Sequence, residues 1–152
     1  MTPINYLEEI LLPTLEDYEE DFRSRRKGYL ACIVMCHLSD YLEKAGASKV
    51  QDAMRSQCTA AWNVVHAVAI GAKHLDNLKN PNPIKFKAGS DVFRPPARAG
   101  VMVCGWSRVG DLDGGMEIRA GSDNLMAEVL PSLRTVLRQY MLQFGDLYLS
   151  HR

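Results

Sequence analysis

The sequence predicts an α+β domain, in which an N-terminal bundle of about four helices precedes a small antiparallel sheet and a long C-terminal helix packs on the bundle. Three observations support this class. Apolar residues recur with helical spacing as far as residue 80. Alternating segments of strand-like composition begin after the Asn-Pro-Asn-Pro stretch at 80–83. Helical spacing then returns from Pro131 onward.

The length and composition predict a single domain. The chain has 152 residues, of which 47% are hydrophobic and 24% charged, an ordinary globular composition. We divide it into a helical half (1–80), a small sheet (81–121), a C-terminal helix (122–145) and a tail (146–152). The formal net charge of zero argues against a protein that coats nucleic acid or a membrane surface. Without a signal peptide or an apolar run of about 20 residues, the expected location is the cytoplasm and no membrane contact is expected.

The first two helices are predicted over residues 2–22 and 27–45. Pro13 falls inside the first, so we expect a kink there or a helix that begins near it, because proline breaks a helix interior but suits a first turn. Gly46 is placed to end the second helix. The apolar stripe of that helix would consist of Leu30, Ile33, Val34, His37 and Tyr41.

The third and fourth helices are predicted over residues 49–57 and 59–78. Ser48 is a suitable N-cap for the third. The fourth is apolar on two sides, which is typical of a central helix, and Gly71 within it costs about 1 kcal/mol relative to alanine. A narrow polar strip follows this helix and consists of Thr59, Asn63, His66, Ile70, Lys73, His74 and Asn77.

The second half of the sequence predicts three strands and a last helix. The strands are expected at 84–87, 100–106 and 116–120, with a turn at 113–115 and another turn or an N-cap at 121–124. Helical spacing is firm from Pro131, and Gly145 marks the expected end of the last helix.

The four cysteines predict buried thiols, and the alternative is a metal site or a disulfide. They are Cys32, Cys36, Cys58 and Cys104, and all of them lie in apolar surroundings. The sequence contains no CxxC pair and no second pair with zinc-site spacing. It also lacks a glycine-rich phosphate loop, a nucleophile elbow and a dinucleotide fingerprint. We therefore expect no metal and no cofactor.

One candidate catalytic site consists of His37 and Asp40 on the second helix with Lys73 and His74 on the fourth. Two antiparallel neighbouring helices can bring these side chains together. A carboxylate that orients a histidine beside a lysine can support acid–base chemistry or phosphate binding. The alternative is a network of hydrogen bonds between helices that only satisfies polar groups.

Two sets of candidate binding residues lie outside that cluster. His66 belongs to the polar strip, and Arg55 lies just ahead of the same helix, so both can contribute to a site for an anion or a nucleotide. Lys85 and Lys87 belong to a basic stretch that runs from Lys79 to Arg98. Phe86 and Phe93 are interleaved with these charges, a pattern that can bind single-stranded nucleic acid. The alternative is a strand with a solvated outer face.

The segments HLSD (37–40), GAKH (71–74) and GMEIRAGS followed by LPSLRTVL resemble a group of small uncharacterised bacterial proteins. The resemblance covers about residues 25–144, and it implies an architecture and the importance of the first cluster. The helical half is also similar to HEPN domains, helical bundles that include many defence-linked ribonucleases. Their catalytic pattern is an arginine followed by four to six residues and a histidine. Here the gap from Arg55 to His66 is longer, and Lys73-His74 lacks the arginine.

Two functions follow as expectations. The first is a non-enzymatic binding or regulatory protein that acts through a protein partner, since catalytic signatures are missing. The second is a HEPN-like ribonuclease or nucleotide-binding enzyme, with His74 or His66 as acid or base and Lys73 or Arg55 on phosphate. A bacterial or phage origin, a role linked to defence or to a mobile element, and a homodimer are further expectations, the last because HEPN-like bundles often pair.

Overall fold

The computed structural model describes the backbone of residues 1–74, 79–87, 92–93, 117–120 and 125–149, and the side chains of 1–74, 79–87 and 129–146. Five helices make up 79% of the part described with side chains, and no residue of that part lies in a strand. The predicted α+β class is therefore wrong, and the protein is predominantly helical. The division into 1–80, 81–121, 122–145 and a tail stays a prediction.

The first helix, α1, is a continuous helical run with one widened turn. It consists of Pro3–Tyr6, a π-helical turn at Leu7–Leu11, and Leu12–Glu20. Pro13 lies in the first turn of the last portion, directly after the widened turn. A wider turn leaves room for a ring that has no N–H to donate, so the irregularity predicted at Pro13 takes the form of a π turn.

Helices α2 and α3 comprise Arg25–Lys44 and Val50–Gln57. The Ser24 hydroxyl accepts a hydrogen bond from the Lys27 amide at 3.4 Å and caps the start of α2. Gly46 follows α2 with φ +106°, a left-handed conformation that glycine adopts without steric cost. Its predicted role at the end of this helix is confirmed.

The start of α3 differs from the prediction. Lys49, and not Ser48, occupies the cap position, with φ 54°. The carboxylate of Glu43, on α2, accepts the hydrogen bond of the Val50 amide at 3.1 Å. A side chain from the preceding helix therefore makes the capping hydrogen bond that was predicted for Ser48.

Helices α4 and α5 comprise Thr59–His74 and Val129–Leu149. Helix α4 contacts α2 and α5, and Trp62 meets Tyr140 of α5 edge to face, with ring centroids 6.4 Å apart. The predicted central position of α4 is confirmed by its buried residues, which are Trp62, Val64, Val65, Ala67, Val68, Ala69 and Gly71. The predicted residues 75–78 of this helix lie outside the described part.

The buried side of α2 agrees with the predicted stripe only in part, since Val34 of that stripe is buried at 8% exposure. The core side carries Ala31, Met35, Leu38 and Leu42, each at most 1% exposed and spaced by three or four residues. From the predicted stripe, Leu30 is 44% exposed and the side chain of His37 is 41% exposed. The helix is apolar enough for two stripes, and the one with smaller residues and without a histidine faces the core.

Three short backbone strands occur late in the chain: β1 at Val92–Phe93, β2 at Glu117–Ala120 and β3 at Leu125–Glu128. Strand β2 pairs antiparallel with both others, and Val92 lies opposite Ile118, which lies opposite Ala127. Helix α5 starts directly after β3, earlier than Pro131, and continues beyond Gly145. The predicted strand at 100–106, the turns at 113–115 and 121–124, and Cys104 lie outside the described residues.

The predicted strand at 84–87 is wrong. Within this segment only Lys87 makes an isolated β-bridge, and Phe86 is completely buried. The Phe86 ring packs against Gly71 of α4. A Cβ added at Gly71 would clash with ring atom Cδ1 and would lie 3.1 Å from Cε1. Glycine at this position lets residues 79–87 lie directly on α4, and that approach forms one wall of a cavity.

Candidate functional sites

The first candidate site is a chain of hydrogen bonds between α2 and α4. The Nζ atom of Lys73 lies 2.7 Å from Nε2 of His37. The other ring nitrogen, Nδ1, lies 3.0 Å from Oδ2 of Asp40, one turn further along α2. Spacings of three or four residues place side chains on one side of a helix, so the helical phase of α2 fixes the His–Asp pair.

The donors in this chain define the state of the imidazole. A lysine ammonium only donates, so Nε2 of His37 accepts from Lys73. The ring proton is then on Nδ1 and is donated to the Asp40 carboxylate. In this arrangement His37 links Lys73 to Asp40 at the protein surface.

The sequence grouped four residues at this site, and the structure brings three of them together. The side chain of His74 is exposed at the end of α4 and makes no hydrogen bond or ion pair with another described residue. Cys36 lies next to His37, and burial raises its pKa to about 12, with the Lys73 ammonium opposing and the Asp40 carboxylate adding to this effect. The thiol therefore stays protonated at neutral pH and is a poor nucleophile.

The second candidate site is a cavity of about 310 Å³ between the end of α3, the start of α4 and residues 80–83. It contains two of the predicted binding residues, Arg55 and His66. The described residues that line it are Arg55, Thr59, Asn63, His66, Asn80, Pro81, Asn82 and Pro83. We call this space the His66 cavity.

Asn82 organises the His66 cavity although it is only 7% exposed. Its Oδ1 accepts from the Ile84 amide at 2.8 Å, which fixes the orientation of the side-chain amide. Its Nδ2 donates to the Asn63 carbonyl at 3.0 Å and to Nδ1 of His66 at 3.2 Å. His66 consequently carries its proton on Nε2, and both polar atoms of the Asn82 side chain are used.

The surroundings of His66 favour its neutral form. Burial lowers its pKa below the usual value of 6.5, and the Arg55 guanidinium lowers it further. The ring also stacks on Trp62, with centroids 5.7 Å apart and planes inclined by 27°. A second proton, on Nδ1, would face the Asn82 amide donor and break that hydrogen bond.

The predicted basic and aromatic stretch does not form a stacking surface in its described part. Phe86 is buried in the core and cannot stack on a base. Lys85 donates from Nζ to the Asn80 carbonyl at 2.6 Å, whereas Lys87 is exposed. Arg94, Arg98 and the side chain of Phe93 lie outside the described residues.

Sequence reasoning missed Asn82, the residue that connects the parts of the His66 cavity. The Asn-Pro-Asn-Pro stretch indicated only that helix formation stops there. A usable signal was present, because prolines have no N–H and flanking asparagine side chains commonly bond to the backbone nearby. Both asparagines do so: Asn80 accepts from the Asn82 amide, and Asn82 accepts from the Ile84 amide.

Comparisons of the chain with protein-family models, with curated proteins and with solved structures gave no match. The resemblances to small bacterial proteins and to HEPN domains therefore stay predictions. Among the described residues, no helix is both long enough and apolar enough to cross a bilayer. The same residues contain no group of three or more His, Cys, Asp or Glu side chains that is arranged to hold a metal ion.

Proposed function

We propose that this chain is a non-enzymatic binding and regulatory protein that acts through a protein partner. The observation that carries the proposal is the Asp40–His37–Lys73 chain, which is exposed at the surface while its hydrogen bonds are made within the protein. Both nitrogens of His37 have partners. A general base needs an acceptor nitrogen within reach of a substrate proton, and here Lys73 holds that nitrogen.

The contact surface would be the outer side of α2 together with the last turn of α4. Leu30 lies seven residues before His37, which is nearly two helical turns, so both project on the same side of α2. We define the α2 face as Leu30, Ile33, His37 and Asp40 of α2, together with Lys73. An exposed leucine beside polar groups that are already fixed in position is a suitable composition for a protein contact, because little side-chain freedom is lost on binding.

The test is to identify the partner through the α2 face and then measure its affinity. A photo-crosslinking amino acid at position 30, with the same amino acid at Leu142 as control, is expressed in the native host. Leu142 is the control because it is 69% exposed on α5 and not part of the α2 face. The crosslinked protein is purified and titrated against wild type, Leu30→Glu and Leu142→Glu. We expect Leu30→Glu alone to weaken binding by about tenfold or more.

Equal affinities for the two glutamate variants would contradict this proposal. A crosslink to a second copy of the chain would make the partner a homodimer mate, and the same variants would then be compared by analytical ultracentrifugation.

The alternative is the HEPN-like ribonuclease or nucleotide-binding enzyme. One observation favours it, namely that Arg55 and His66 line the same cavity. This alternative predicts that purified protein cleaves RNA or hydrolyses a nucleotide, and that His66→Gln or His74→Ala removes the turnover. Such turnover would overturn the non-enzymatic proposal. Wild-type protein without turnover on either substrate would remove the alternative.

A further inference from the structure

The His66 cavity presents hydrogen-bond donors and no described carboxylate. Arg55 contributes a guanidinium, and His66 has its ring proton on Nε2, the nitrogen that is not bonded to Asn82. The side-chain amide of Asn63 has no hydrogen bond to another described residue, since only its backbone carbonyl is used by Asn82. None of the described lining residues is acidic. Such a set suits an oxyanion, which accepts hydrogen bonds and carries negative charge.

The cavity is also held in shape before any ligand arrives. Asn82 connects residues 80–83 to α4 through its bonds to Asn63 and His66. Lys85 holds the Asn80 carbonyl at 2.6 Å, and Phe86 anchors the segment against Gly71. Because residues 80–83 and the His66 ring are already held in place, ordering them costs little entropy when a ligand binds.

The pairing of Arg55 leaves its charge available. Its partner is Asp52, at 3.4 Å, and the two side chains are 52% and 67% exposed. Exposed pairs of this kind contribute little, about 0 to 1 kcal/mol. An anion that accepts from Arg55 and from the neighbouring donors can therefore compete with Asp52.

We propose that the His66 cavity binds the phosphate group of a small phosphomonoester, with Arg55 as the cationic contact and His66 and Asn63 as neutral donors. The volume of about 310 Å³ is at the lower end for small-molecule pockets, which have volumes of about 300 to 1,000 Å³. It suits a phosphate with a small organic body, and free phosphate shares the same chemistry. The assignment is independent of the proposed protein contact, which uses the α2 face.

The experiment is an NMR titration of the ¹⁵N-labelled full chain with inorganic phosphate, ribose 5-phosphate, ribose and acetate. We expect both phosphate compounds to shift the Asn63 side-chain amide and the His66 ring resonances, and ribose to leave them unchanged. Tighter binding of ribose 5-phosphate would assign a phosphomonoester, and equal affinities would assign free phosphate as the ligand. Acetate that binds as tightly as phosphate would overturn the assignment.

Variants locate the site. Arg55→Gln removes an exposed charge, so the fold is expected to be retained, and it should weaken phosphate binding by about tenfold. The matched control is Arg134→Gln, because Arg134 is also exposed and also paired with a carboxylate, that of Glu19 at 2.7 Å. An equal effect of both variants, or no effect of Arg55→Gln, would show that phosphate binds by general charge or elsewhere, and would overturn the proposal.

Discussion

Two histidines of this protein make the same kind of hydrogen bond in opposite surroundings. His37 accepts from the Lys73 ammonium at the surface, and His66 accepts from the Asn82 amide beside a partly open cavity. In both cases the donor nitrogen fixes where the ring proton lies. The two sites nevertheless differ in the cost of losing a partner.

The difference follows from access to water. The surface chain is the series of hydrogen bonds through Asp40, His37 and Lys73. There water can replace any partner that is removed, so each bond contributes little net free energy. Asn82 is only 7% exposed. A partner lost there leaves polar groups that water reaches poorly. The loss of one hydrogen bond at the surface should therefore cost little stability, whereas the loss of one at Asn82 should cost more.

The largest expected effect comes from removing the anchor of the cavity. Phe86→Ala deletes a completely buried ring that packs on Gly71 and meets Tyr29 edge to face at 6.0 Å. We expect a loss of about 3 to 5 kcal/mol in the free energy of unfolding, measured by urea denaturation. Leu142→Ala, at an exposed position, should change it by less than about 0.5 kcal/mol.

The same NMR experiment shows whether the two regions are independent. In folded Phe86→Ala, the ring signals of His66 should shift while those of His37 stay in place. Equal shifts in both rings would contradict the separation between cavity and surface chain.

The next effect is at Asn82. Asn82→Ala leaves the Ile84 amide, the Asn63 carbonyl and Nδ1 of His66 without their partner. We expect a loss of about 1 to 3 kcal/mol in the free energy of unfolding, measured by urea denaturation. We also expect a change in the tautomer populations of His66, measured by ¹⁵N NMR of the ring. A loss below about 0.5 kcal/mol would mean that water satisfies these groups and that the cavity is open there.

Phe86 and Asn82 also show which parts of the structure could be predicted from the sequence. Periodicity predicted α2, α3 and α4, and local spacing placed His37 and Asp40 on one side of α2. The contact of Lys73 with His37 spans 36 residues and depends on the packing of α4 against α2. The segment 84–87 alternates like a strand, yet one aromatic residue anchors it as an irregular segment. Alternation alone cannot distinguish these cases, since the decisive contact is with Gly71 of α4. The bond from Asn82 to His66 spans sixteen residues and likewise depends on the tertiary fold.

The pH dependence of stability gives a separate test of the surroundings of His66. The pKa of His66 is lowered in the folded protein, first by burial and then by Arg55. Below about pH 6.5, the value of an unperturbed histidine, the unfolded chain therefore binds more protons at this residue than the folded one. The contribution of neutral His66 to stability is complete above that pH. It is lost as the pH falls through 6.5 toward the lower pKa of His66 in the folded state.

The measurement compares wild type with His66→Gln in urea at several pH values between about 7.5 and about 5.5. Carboxylates titrate in both proteins, so the difference between the two curves reports on His66. Wild type should lose more stability than the variant as the pH falls. Parallel curves would show that the burial and charge at His66 do not act on its protonation.

The smallest effect is expected at the surface chain. Asp40→Asn keeps an acceptor for the His37 Nδ1–H and removes one charge, at a side chain that is 50% exposed. The free energy of unfolding should change by less than about 1 kcal/mol, and part of that change should disappear at high salt because exposed charges are screened. A larger loss that salt does not reduce would place Asp40 in the same category as Asn82, as a residue that holds the fold together. Because an exposed pair contributes so little to stability, a small effect here combined with a clear loss of partner affinity would assign the chain to binding rather than to folding.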